Sequence, residues 1–291
     1  MFLASCATGT RVSDTGLHTG GATAAYPMEA QGYAPRGTGT LIKPLTGSRV
    51  ITSERRDEGV ARFDLAFEGQ DDDILRFVNR DEYDFDRVFR SYLVWQPLSW
   101  VKDDSGSYRS STTGDVRMGL NGRFFEGVLP MGDGEALDLE AGLELFAVWP
   151  TGQPKPPRWA GVVDSNEGYF LVGNVRGGSH SQSVALNLGG GAQQQPGSVG
   201  YTARYLMGAA FNQGIGFGAN DFGETGMRVG VETFWTLAPS ENENFGEISL
   251  LLGLWVDTAE ITIGYRAGLT QESPDWVLFV NFGTRLLDTL F

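Results

Sequence analysis

Few residues of this 291-residue chain are of types that do chemistry unaided. It has two histidines, His18 and His180, and one cysteine, Cys6. His180 lies in Ser179-His180-Ser181-Gln182-Ser183, where an imidazole beside hydroxyls could act as general base toward a serine nucleophile. Neighbours on an extended chain point to opposite faces, and no carboxylate is marked out as an acid partner. His180 therefore reads as a polar loop residue. One cysteine and two distant histidines make no zinc set. Gly189-Gly190-Gly191 lacks the lysine and following helix of a phosphate loop. Asp71-Asp72-Asp73 lacks the spacing of a calcium loop and reads as the start of a short helix over Ile74 and Leu75. The expectation is a non-enzymatic protein with no cofactor and no metal.

The lone cysteine rules out an intrachain disulfide. A net charge of −14 argues against nucleic acid, whose phosphates need a basic footprint. Leu3-Ala4-Ser5-Cys6 resembles a bacterial lipobox, in which a cysteine becomes the lipid-bearing N-terminus. That resemblance implies lipidation at Cys6, and Ala7 after it implies export to the outer membrane. The basic and apolar regions of a signal peptide do not precede it, so a start codon upstream of Met1 is expected. Residues 7–59 are rich in Gly, Thr, Ser and Ala without a lasting period and read as an extended tether or as a segment packed late onto something else. The expected division is a leader and tether over 1–59 and one domain over 60–291.

From Ala61 the chain alternates. Phe63, Leu65 and Phe67 share one face, and Arg62, Asp64 and Glu68 the other. Over Ala136–Trp149 the residues Leu137, Leu139, Ala141, Leu143, Leu145, Ala147 and Trp149 form one apolar stripe against Asp138, Glu140 and Glu144. That stripe is too long for an ordinary soluble strand of about 5–6 residues. It suits a membrane-crossing strand, which needs roughly 9–11 residues, apolar outward and polar inward. No apolar run approaches the ~20 residues of a membrane helix. Further strands are expected at Arg87–Trp100, where a helix is the alternative, and at 116–125, 184–188, 201–211, 227–237, 246–256, 260–269 and 276–283, with shorter runs beside Asp164-Ser165-Asn166. A turn at Asp257-Thr258 would set Leu254 against Ile261, Leu252 against Ile263, Leu250 against Tyr265 and Ile248 against Ala267. A slip of one residue would break every pair.

This pattern resembles that of bacterial outer-membrane β-barrels: all-β, antiparallel, up-and-down, with about eight to twelve strands. The terminal Phe291 adds to the likeness. The resemblance implies membrane lipid around the apolar face and a lumen holding Arg204, Arg228, Glu232, Glu247, Glu260 and Arg266. With mixed signs, these side chains are expected to pair across a narrow lumen and close it. The function so implied is a structural or interaction component of the cell envelope, meeting envelope proteins through loops such as Gly132-Asp133-Gly134-Glu135. The alternatives are a narrow diffusion channel for small solutes, an outer-membrane lipid-modifying enzyme using His180, and a soluble sandwich or lipocalin-like binding protein.

Overall fold

The computed structural model describes Arg49 and most of the chain from Gly59 to Leu286. Residues 1–48, 50–58, 72–73, 87, 103–104, 112–115, 131–135, 150–166, 180, 195–199, 217–225, 240–242, 257–258, 272 and 287–291 lie outside the description. Thirteen strands are described: β1 Ala61–Gln70, β2 Ile74–Asp84, β3 Phe89–Lys102, β4 Tyr108–Ser111, β5 Val116–Pro130, β6 Ala136–Trp149, β7 Gly168–Gly178, β8 Gln182–Gln194, β9 Tyr201–Gly216, β10 Gly226–Ala238, β11 Glu243–Val256, β12 Ala259–Gly268 and β13 Trp276–Leu286.

Consecutive strands pair antiparallel except at β4, where β3 pairs with β5 directly, and β1 pairs with β13. The sheet therefore closes on itself. Twelve strands make the ring, and β4 is a short hairpin partner of the far end of β3. Ring strands run from 10 to 16 residues, long enough to cross a hydrocarbon layer when tilted. Closure leaves the ring without an unpaired edge, as a strand structure in lipid requires. No helix among the described residues is long and apolar enough to cross a membrane.

The faces are inverted relative to a soluble protein. Leu145, Leu171, Leu186, Leu188 and Leu250 are exposed, each by more than half. Their strand neighbours Glu144, Val172, Asn187 and Ser249 are buried. A soluble sandwich would hide the apolar side, so that alternative falls. Exposed aromatics crowd both ends of the wall: Tyr83, Phe85 and Phe89 at one, Trp149, Tyr169 and Tyr201 at the other. Aromatic girdles of this kind sit at membrane interfaces.

Register follows the sequence expectation where a short turn controls it. Leu254 pairs with Ile261, Leu252 with Ile263, Leu250 with Tyr265 and Ile248 with Ala267. The short helix expected at Ile74 is replaced by β2. Asp71 is the reason: it takes a positive φ of 49°, and its carboxylate accepts the Trp276 backbone N–H at 2.9 Å. An aspartate tolerates that left-handed turn and reverses the chain at once, leaving no turn of helix to nucleate. The strands β8 and β9 outrun the expected bounds, where glycine-containing stretches such as Gly189-Gly190-Gly191 continue the ladder, and β5 runs on to Pro130.

One lumen-facing glycine has a testable role. A Cβ on Gly264 would stand 2.1 Å from the ring of Phe279, which lies flat on the wall there. Gly264→Val should push that ring away and destabilise the barrel by about 1–3 kcal/mol. A lowered urea midpoint in detergent would show it, and an unchanged midpoint would mean the ring has room to move.

Candidate functional site

The inner wall is the candidate site, because every ring strand points alternate residues into it. It carries three groups of charges. On β2, β3, β5 and β6, Arg90 pairs with Asp84 at 2.6 Å and with Glu82 at 3.0 Å, and Arg117 pairs with Glu144 at 2.6 Å. Tyr92 donates its hydroxyl to Glu144, and Arg117 lies 3.8 Å over the ring of Phe146, itself stacked on Phe170. On β5, β6 and β7, Glu140 meets Arg176 at 2.7 Å and Arg123 at 3.9 Å. The third group holds most of the residues expected from sequence.

In that third group Arg228 of β10 reaches Glu260 of β12 at 3.2 Å and lies over the Trp255 ring. Arg266 of β12 turns to Glu68 of β1 at 3.1 Å and lies 3.9 Å over the ring of Phe279. Glu232 of β10 and Glu247 of β11 are brought together through Arg49. The Arg49 backbone N–H donates to both carboxylate oxygens of Glu232, at 3.3 and 3.2 Å, and its Nε lies 3.1 Å from Glu247. Arg204 is half-buried on the inner face of β9, with Gly191 as its ladder partner.

Two expectations need correction. The ion pairs just described between strands do not cross the lumen; each joins a strand to its neighbour or its next-but-one neighbour. Geometry explains this. Twelve strands about 4.8 Å apart and tilted about 40° close a ring roughly 24 Å across, whereas walls whose side chains meet stand about 10 Å apart. Nor is the inner face uniformly polar. Val78, Val94, Val172, Leu206, Phe234 and Phe245 belong to one buried apolar cluster on it.

Arg49, Arg90, Tyr92, Arg117, Arg123 and Arg176 were not singled out from the sequence. Five of them share the inward parity of their strands, which alternation alone could have signalled. Nothing in the sequence marks Arg49. Cys6, His18 and His180 lie outside the described residues, so neither lipidation nor a catalytic histidine gains a structural setting.

No family model matches the chain, and no curated protein does. Solved structures are similar in fold. The KdgM porin is 11% identical with a TM-score of 0.43, over 77% of this chain and 98% of that one. A loop-deleted form of OmpT, an outer membrane protein of Vibrio cholerae, is 8% identical with a TM-score of 0.35, over 79% and 98%. The translocator domain of the autotransporter NalP from Neisseria meningitidis is 10% identical with a TM-score of 0.35, over 79% and 90%. The ring closure, the inverted faces and the charged inner wall make this chain an all-β, twelve-stranded antiparallel barrel of the outer-membrane type.

Proposed function

We propose that this barrel is a narrow diffusion channel for small solutes in the bacterial outer membrane, and that it is not an enzyme. The carrying observation is that the ion pairs described between ring strands run along the wall. Charges neutralised along the wall leave the middle of the lumen to water and solute. Eight-stranded barrels fill with side chains and barrels of about 16 strands hold open water channels, so twelve strands suit a restricted path. Opposite charges side by side favour small polar solutes over ions of one sign.

Orientation follows from the connections. Those at the end bearing both termini of the ring are 85–88, 131–135, 179–181, 217–225 and 257–258. The opposite end carries 103–115 and 150–167, the two longest. Long loops face outward in such barrels and short turns face the periplasm. The acidic loop around Asp133 is then periplasmic.

Purified full-length protein in a planar bilayer should give discrete single-channel steps, brief if the lumen is partly occupied. Folded protein that inserts but passes no current in any form would end the channel reading. The second reading is a closed barrel that serves envelope partners through its loops. It is favoured by one observation, the presence of Arg49 inside the lumen.

A further inference from the structure

One row of the inner wall holds charges that its neighbours only partly satisfy. Across the ladders at one height, Asp64 of β1 is the partner of Arg80 of β2, Arg80 of Val94 of β3, and Val94 of Arg117 of β5. The side chains of Arg90, Arg123, Arg176, Arg228 and Arg266 keep little surface, at 3–8% exposed. Those of Arg80 and Arg117 are 35% and 23% exposed. Each commits one edge of its guanidinium to the wall. Arg80 donates Nε to Glu82 at 2.6 Å. Arg117 donates Nε to the Tyr92 hydroxyl at 3.0 Å and Nη2 to Glu144 at 2.6 Å. Both guanidinium carbons lie over the Tyr92 ring, 4.8 and 5.3 Å from its centre. The two Nη groups of Arg80 and Nη1 of Arg117 have no acceptor among the described residues.

Asp64 ends the row with the opposite sign. It is half-buried on the inner face. Its ladder partner Arg80 turns to Glu82 on its own strand instead. On the other flank stands Gly283 of β13, which brings no side chain. Among the described residues no donor bonds the Asp64 carboxylate. A carboxylate and two guanidinium ends, side by side and open to the lumen, suit a solute that carries both signs. An ion of one sign would meet its like charge in the same row. Ladder partners on one face hold their Cβ atoms about 4.5–5.5 Å apart, an interval that an ammonium and a carboxylate on one carbon can span. The end of a guanidinium offers two parallel N–H donors, which match the two oxygens of a carboxylate.

We propose that Asp64, Arg80 and Arg117 form a binding site for a small zwitterion of the α-amino-acid class, Asp64 taking the ammonium and the two arginines the carboxylate. This deepens the channel reading above by naming the class of solute that the lumen selects. The passage of that solute rests on the channel reading; its binding does not.

The test uses full-length protein, with heat-shifted mobility on gels confirming that each variant is folded, and three probes of like size: alanine, propionate and ethylamine. Saturation-transfer NMR in detergent reads binding. Alanine should bind about tenfold more tightly than either single-charge probe, because each of those lacks one charge-assisted contact. Asp64→Asn and Arg80→Gln should each weaken alanine by about tenfold. Asp64→Asn should leave propionate no weaker, and Arg80→Gln should leave ethylamine no weaker, which a general loosening of the wall would not do. Liposome swelling then reads passage, and the parent should admit alanine faster than lactamide, a neutral solute of like size. Alanine bound no better than the single-charge probes, or bound equally by the parent and both variants, overturns the site whatever the channel passes. Alanine bound as expected by a barrel that admits no solute ends the channel reading and leaves the site standing.

Discussion

Arg176→Met should cost this barrel about 3–5 kcal/mol of stability, the usual penalty for removing one partner of a buried ion pair. Arg176 donates to Glu140 at 2.7 Å, and each side chain is only 3% exposed. The second cation near Glu140 is Arg123, at 3.9 Å, and Arg123 is already drawn to Glu126 at 2.5 Å. Without Arg176, Glu140 keeps its burial and loses the partner at 2.7 Å. Its carboxylate is then left in a poor environment, which destabilises the fold. The double variant Glu140→Leu, Arg176→Met removes both charges at once and should recover most of the loss, because desolvating the pair offsets much of its attraction. Urea unfolding in detergent micelles, run as a double-mutant cycle, reads the coupling directly. A single variant no less stable than the double would mean that Glu140 is solvated in the lumen.

Leu250→Arg tests the other face of the wall. Leu250 is the middle of β11, 56% exposed, between Val231 and Tyr265 on the neighbouring strands. If that face meets hydrocarbon, an arginine at mid-height costs about 2–4 kcal/mol, and one near the interface about 0–1 kcal/mol. Tyr169→Arg, at the girdle end of β7, is the matching interface position. The expected result is a large loss for Leu250→Arg and a small one for Tyr169→Arg, measured as folding into vesicles. Equal and small losses would mean that the outer face meets water.

Both results turn on a division already present in the order of residues. Alternation in β6 places Glu140 and Glu144 opposite Leu143 and Leu145, and the length of that run sets its faces. A strand has a side-chain period of two, so local sequence decides which residues share a side. A two-residue connection between β11 and β12 then sets register to the residue, which is why every pair expected across it is observed. The same locality misled at Asp71, where one backbone angle turned an expected helix start into a reversal.

The sequence by itself determined most of the strands, their two faces and the register beside tight turns. Only the tertiary structure decided the closure of β1 on β13, the count of twelve, and the partners of the inner charges. Arg266 meets Glu68 across 198 positions, and Arg49 meets Glu232 across 183. Such contacts are absent from any local pattern, because they exist only once the ring has closed and fixed which strands stand side by side. The width of that ring also decided whether opposite charges meet across the lumen or along its wall.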